Sequence, residues 1–481
     1  MENENIKQKV ISGVVWKFAE RILAQAVSLL VSIIIARLLD PSDYGVVSIV
    51  TVFFAFANVI ISGGLNTALI QKKGADREDY NTVFTISFGL AVAIYLILFF
   101  SAPLISKIYE QPILISIIRI LGLSLPIYAL KSVVCAYISA NLQFRKFFFA
   151  TLGGTLASAI VGISFALNGF GAWALVAQQL TNTIIDTVIL LLITKLRLSF
   201  RIAFDRAKEL IRYGYKILLS SLLGVTINQI NPLFIGLKYT SADLSFYTKG
   251  RSFPETLSSS MTYTISAVLF PALSKYQDEK ERLLQYTRLY MKLASFVVFP
   301  VMLGFAGIAE NFVIVLLGDK WLPAAYYIQI VCISTMFDVV AVGNCETIKA
   351  MGRSDVFLKI EIAKKTGYFI VLTLFLIFTD TPRALAISLL FCTVIQVIIN
   401  SIPNIKLIGY RIKYQLMDLL PNFIISGIMC FAVIMLGKAE INVTILLVLQ
   451  IFVGAVLYAI LAMLTRNSAL RYLLSWMKKR K

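Results

Sequence analysis

The stretch INVTILLVLQIFVGAVLYAILAML, residues 441–464, carries no charged side chain and a single glutamine at mid-length. As a helix rising about 1.5 Å per residue it reaches across a bilayer hydrocarbon core of about 30 Å. Working outward from it, the same kind of run recurs along the whole chain. Fourteen apolar spans are expected, at about 12–39, 43–70, 80–106, 113–143, 147–168, 171–195, 211–237, 243–274, 286–317, 323–350, 355–379, 383–408, 415–437 and 441–464. The runs are continuous rather than alternating, which excludes a membrane β-barrel. The predicted fold class is therefore an all-α integral membrane protein.

Composition agrees. Of 481 residues 58% are hydrophobic and only 15% charged, with a mean hydropathy of +0.82. The net charge of +19 does not imply nucleic acid as a partner, because the basic residues gather in alternate loops. With the N-terminus in the cytoplasm, the inner segments hold 27 Lys and Arg and the outer loops six. That asymmetry is what the positive-inside rule demands, and it places both termini in the cytoplasm of a multi-pass protein of the inner membrane. The first run, Ile11–Leu39, is too long for a cleavable leader and reads as a retained span. Histidine is absent and the five cysteines lie in apolar runs without ligand spacing, so neither a metal centre, a cofactor nor His-based catalysis is expected.

The longest polar interruption, Lys195–Arg212, mixes Phe200, Ile202 and Phe204 with Arg201, Arg206 and Lys208. It is predicted to be an amphipathic helix on the inner leaflet, facing anionic lipid. The domain plan that follows is a first lobe at 1–197 (spans 1–6), a linker helix at 198–212, and a second lobe at 213–410 (spans 7–12). Spans 13–14 and a basic tail occupy 411–481. Gly13, Trp16 and Lys17 opening span 1 parallel Gly214, Tyr215 and Lys216 opening span 7, and Asp40–Gly45 parallels Thr240–Asp243 with Tyr247 and Gly250. Two six-span halves in parallel orientation fit a transporter built from an internal repeat.

Some of these residues carry a family likeness. Ala36-Arg37-Leu38-Leu39-Asp40-Pro41-Ser42-Asp43-Tyr44-Gly45 resembles the first-loop signature of polysaccharide flippases of the MOP exporter superfamily, the Wzx-like oligosaccharidyl-lipid flippases. Gly169-Phe170-Gly171-Ala172-Trp173-Ala174-Leu175-Val176 is similar to their entry into span 6. Tyr247–Arg251 through Val268–Lys275 resembles span 8 of the colanic-acid-exporter-like subgroup. The resemblance implies two pseudo-symmetric six-helix lobes in a V around a central cavity, with two further C-terminal helices. It also implies translocation, by alternating access, of an undecaprenyl-pyrophosphate-linked oligosaccharide for O-antigen, capsule or exopolysaccharide synthesis. A drug exporter or lipid II flippase of the same superfamily is the alternative. A membrane polymerase, which would work beside such a protein in polysaccharide assembly, fits less well because the outer loops are short and His is absent.

Such a cargo needs cations for phosphate and hydrogen-bonding groups for sugar inside the spans, since unpaired charge cannot enter hydrocarbon. The candidate phosphate ligands are Lys17 and Arg21 on span 1, Lys131 on span 4, and Lys249 and Arg251 on span 8. Candidate sugar contacts are Gln25, one turn beyond Arg21, with Gln178 and Asn182 on span 6 and Asn228, Gln229 and Asn231 on span 7. Each has a structural reading too: snorkelling, an ion pair such as Lys131–Asp186 or Arg251–Glu255, or interhelical hydrogen bonds. Coupling to H+ or Na+ would need intramembrane acids, for which Asp338, Glu346 and Asp186 are the candidates.

Overall fold

The computed structural model describes Trp16, Glu20 and residues 23–479. The described chain is helical throughout: α1 (Leu23–Leu38), α2 (Pro41–Ser62), α3 (Leu65–Gln71), α4 (Arg77–Ile108), α5 (Leu114–Leu121), α6 (Ser124–Ala140), α7 (Arg145–Leu167), α8 (Ala172–Thr194), α9 (Phe204–Lys238), α10 (Ser241–Ser274), α11 (Lys280–Leu316), α12 (Pro323–Thr335), α13 (Asp338–Ala350), α14 (Ser354–Phe378), α15 (Pro382–Ile408), α16 (Ile412–Leu436), α17 (Val443–Leu464) and α18 (Ser468–Lys479). Eleven helices or end-to-end helix pairs among the described residues are long and apolar enough to cross a membrane. Each of the other three expected spans also falls on a helix: α1, whose described part is short, and the more polar α10 and α14.

The chain separates into two compact units, Met1–Ser245 and Phe246–Lys481. In the first, α9 packs along α2 and α3. Span 2 breaks into α2 and α3 at Gly63-Gly64, where Gly64 takes φ +81° and a Cβ would lie 2.2 Å from the Gly214 carbonyl oxygen of α9. No other residue fits there, because L side chains resist both that φ and that contact. At the other end of α2 a Cβ on Gly45 would lie 1.7 Å from the Ser241 carbonyl. α7 and α8 also come close, where a Cβ on Gly154 would lie 2.9 Å from that of Asp186 and one on Gly162 3.0 Å from that of Gln178.

The repeat seen in sequence has a local counterpart. The Asp43 carboxylate accepts from the Asp40 amide at 3.4 Å, and Asp243 accepts from the Thr240 amide and hydroxyl at 3.3 and 2.6 Å. Both are side chains reaching back from the first turn of a helix to the residue before it. Asp43 also accepts from the Ala172 amide at 3.1 Å, tying the start of α2 to the start of α8.

The expected linker helix at 198–212 is corrected. Residues 195–203 lie outside helix, Lys195 in the left-handed region at φ +53°, and α9 begins only at Phe204. The segment is a strap bound to the side chains of α4: the amides of Ser199, Arg201 and Ala203 donate to Asn81 (2.9 Å), Thr85 (3.1 Å) and Thr82 (3.1 Å). Alternate amides point the same way only in extended chain, so these bonds select that form over helix. Phe200 packs on Phe84 and Phe88. Beyond it, Arg206 pairs with Asp76, with Glu78 at 2.9 Å and with Asp79 at 3.4 Å. Lys72 bonds Asp79 at 3.0 Å and Glu209 at 3.1 Å. The Arg206 guanidinium holds the Asp76 carboxyl well below the usual carboxylate range, and the bonds to Asp79 and Glu209 push the Lys72 ammonium up.

The second unit is organised around α11, against which α12, α13, α16 and α17 pack. Asp418 of α16, almost wholly buried, receives Arg288 at 2.8 and 2.9 Å, Lys292 at 3.3 Å and the Tyr410 hydroxyl at 2.9 Å. Asn344, Ser401, Asn404 and Gln415 form a neighbouring buried amide network. Pro232, Pro254, Pro271, Pro300 and Pro403 lie inside helices, while Pro126 occupies the first turn of α6, where its missing N–H costs little.

Gly64→Ala should lower the detergent melting temperature more than Gly74→Ala. Both glycines have positive φ, but only Gly64 has backbone within reach of an added Cβ. The conformational cost alone is about 1–2 kcal/mol, and an equal shift for the two would remove the α3–α9 contact as a constraint. Asp76→Asn preserves the N-cap bonds to the Glu78 and Asp79 amides but removes the charge facing Arg206. Amide exchange at 199–203 should then quicken about two- to fivefold at pH 7, the size of an exposed ion pair. Because the folded carboxyl is shifted down, its contribution is complete above the ordinary pKa of about 3.9 and fades only as pH falls through the lower folded value. Strap protection corrected for intrinsic exchange should therefore be flat from pH 8 to 5.

Candidate functional site

A cavity of about 920 Å3 lies within the first unit, between α1, α2, α6, α7 and α8. Its polar lining follows helical spacing. Gln178 and Asn182 are one turn apart on α8, as are Gln179 and Thr183; Thr155 and Ser158 share a face of α7, and Thr51 and Asn58 a face of α2. Gln25 and Ser28 come from α1, Ser124 and Tyr128 from α6. Among the described residues that line it Glu20 is the one charged side chain, and its carboxylate accepts from the Thr151 hydroxyl at 3.1 Å.

The hydroxyls here donate largely to their own helices. Thr155 bonds the Thr151 carbonyl at 2.7 Å, Ser158 the Thr155 carbonyl at 2.9 Å and Thr183 the Gln179 carbonyl at 3.0 Å. Their oxygens remain acceptors toward the cavity, while the Gln and Asn amides bring donors as well. The Asn182 amide reaches Ser158 only at 3.4 Å. Phe54 and Leu121 supply apolar patches beside these groups. Mixed donors and acceptors with an aromatic face suit a polyhydroxylated ligand, and the volume is in the range of small-molecule sites.

The expected site residues divide. Gln25, Gln178 and Asn182 come together on the cavity wall. Lys17 and Arg21 lie outside the described residues. Lys131 is ion-paired with Asp186, so this expected cation and this expected coupling acid satisfy each other. Asn228, Gln229 and Asn231 do not line the cavity, and Asn231 is fully buried on α9. In the second unit Arg251 pairs with Glu255 and reaches the Tyr247 hydroxyl at 3.4 Å, while Lys249 is buried. Asp338 accepts from Ser258 at 2.9 Å and from Gln396, and Glu346 pairs with Lys349 at 3.1 Å. The described lining is thus amide and hydroxyl with one carboxylate, where the sequence led us to expect cations.

Several residues were overlooked. Thr51 and Asn58 are seven apart, a helical repeat that could have flagged α2 as a wall. Glu361 and Lys364, paired on α14, and Asp418 on α16 are intramembrane charges that were not weighed.

These features define a class: a multi-pass, all-helical membrane protein with a polar chamber in its first unit. The chain belongs to the polysaccharide biosynthesis protein family, whose profile matches residues 34–326. It is 23% identical over 466 residues to the succinoglycan biosynthesis transport protein ExoT of Rhizobium meliloti, covering 93% of this chain and 91% of that one. It is 20% identical over 431 residues to the lipopolysaccharide biosynthesis protein WzxC of Escherichia coli, covering 88% and 86%. Among solved structures, the lipid II flippase MurJ in its inward closed conformation superposes with a TM-score of 0.72 at 16% identity, covering 95% and 99%. An inward-facing multidrug resistance MATE transporter of the MOP superfamily gives 0.58 at 12% identity, covering 88% and 99%. The MOP-superfamily, Wzx-like likeness read from the loop motifs is borne out.

Lys131→Met or Asp186→Leu alone should destabilise the protein by about 3 kcal/mol, since each leaves a buried charge uncompensated. The double variant should recover most of that loss in thermal denaturation. Additive losses would show that the two groups do not depend on one another.

Proposed function

We propose that this protein is a flippase that carries lipid-linked oligosaccharide repeat units across the bacterial cytoplasmic membrane. The carrying observation is the chamber of amides and hydroxyls in the first unit, within a chain of the polysaccharide biosynthesis family. A sugar headgroup cannot pass hydrocarbon unaided, because each unpaired polar group there costs several kcal/mol. Groups that exchange hydrogen bonds with sugar hydroxyls remove most of that penalty.

In this reading all fourteen helical segments cross the membrane, both termini face the cytoplasm, and the two lobes alternate access to the chamber. The segment at 198–212 is a strap on α4 followed by the start of α9, both within the first unit. The donor is an undecaprenyl-diphosphate-type lipid whose tail stays in the bilayer. A proton or sodium ion drives the cycle, with Asp338 and Glu346 the remaining acids for coupling, as Asp186 is engaged by Lys131. The protein is a transporter and not an enzyme, in keeping with the relatives named as transport proteins.

Deleting the gene in a polysaccharide-producing host should leave repeat units on the cytoplasmic leaflet while susceptibility to cationic drugs is unchanged. Normal export with altered chain length would favour a polymerase, and drug sensitisation a drug exporter. Gln178→Ala with Asn182→Ala should cut export about thirtyfold at normal protein level, the loss of two hydrogen bonds of about 1 kcal/mol each. Undiminished export would remove the chamber from the sugar path.

A further inference from the structure

We propose that the seam between α1 and α7 is the loading mouth of the chamber, and that Arg145 there binds the diphosphate of the lipid-linked glycan. This rests on the flippase reading and adds a site that the sequence reading does not single out.

Arg145 is the first residue of α7. Its guanidinium carbon lies 5.2 Å from the ring centroid of Trp16 and 5.5 Å from that of Phe149. Trp16 in turn meets Phe148 edge to face, centroids 5.2 Å apart. Trp16 precedes Glu20 by one helical turn, and Phe148 precedes Thr151 by three residues, so this aromatic pair shares the helix faces that carry the Glu20–Thr151 hydrogen bond. The next residues along the α7 face are Thr155 and Ser158 of the chamber wall. The aromatic pair thus stands about 6 Å, one turn, from the chamber's carboxylate.

Three observations mark Arg145 as an anion ligand. First, no carboxylate among the described residues pairs with it. Among the described residues Lys131 is engaged by Asp186, and Lys72 and Arg206 by the acids of α4 and α9, whereas Arg145 is held by rings. Second, stacking uses the face of the guanidinium, and the in-plane N–H groups remain free for two phosphate oxygens. Third, Arg145 and Lys146 occupy the first turn of a helix with no acid there and no side-chain cap. Cations at that end oppose the helix dipole, and an anion bound beside them relieves that opposition. A charge that served only to set topology would need no aromatic seat.

The experiment uses the full chain in nanodiscs and measures binding of undecaprenyl diphosphate, undecaprenyl monophosphate and phosphatidylglycerol. Wild type should prefer the diphosphate, Arg145→Ala should weaken it about tenfold or more, and Arg145→Lys should retain charge but lose much of the affinity. Arg145→Gln serves the same comparison should Arg145→Ala not reach the membrane. Unchanged diphosphate binding in the variants would overturn the proposal, as would equal binding of phosphatidylglycerol that falls in parallel, which would make this a bulk headgroup site. In cells, Arg145→Ala should block export while the protein is still inserted. If export fails on gene deletion but survives Arg145→Ala, this assignment falls and the flippase reading stands; if deletion leaves export intact, the flippase reading itself falls.

Discussion

A polar group at bilayer depth has no water to turn to, and that constraint sorts the interior of this protein. Some polar side chains are matched to one another. Asp418 takes two cations and a phenol, Lys131 takes Asp186, and Asn344 takes Asn404 and Gln415. Such groups are spent, because opening a buried pair exposes both partners to apolar surroundings. Others are only half satisfied and border a cavity, as with the hydroxyls of Thr155, Ser158 and Thr183 that donate to their own helices. Only the second kind has bonding capacity left for a cargo. That distinction, more than the number of charges in the spans, points to where sugar would be handled.

The helices themselves were legible because continuous apolar runs admit no other spanning structure. Where helices break was half legible. Two adjacent glycines, Gly63-Gly64, suit a place of close approach, but nothing local to them reveals that Gly214 is the partner. Pairing was harder still, because Lys131 and Asp186 belong to different helices, as do Arg288 and Asp418, and which faces meet is decided by packing. Cations were thus expected in the chamber partly because their counter-charges could not be placed beside them.

The strap is a different kind of miss. Its basic residues suggested an amphipathic helix, yet Phe200, Ile202 and Phe204 recur at every second position, the period of extended chain. The partners that fix that period, Asn81, Thr82 and Thr85, are polar residues in the first turns of α4. Reading the two segments together would have found it, since hydroxyl and amide side chains at the start of an apolar span invite a backbone to satisfy them.

The duplicated caps show why so few motif residues identify such a chain. A helix start at the membrane surface leaves amides with little water to bond, so a side chain that reaches back to them is worth about 1 kcal/mol and is hard to replace. Asp40 with Asp43, and Thr240 with Asp243, solve that problem in the same register with different chemistry at the first position. Asp43 has an added duty in holding the Ala172 amide, just after Gly171 with its φ of +54°. The Asp-Pro-Ser-Asp and Gly-Phe-Gly-Ala signatures are therefore two sides of one contact. They join two helix starts, so their spacing in sequence answers to one packing contact in space.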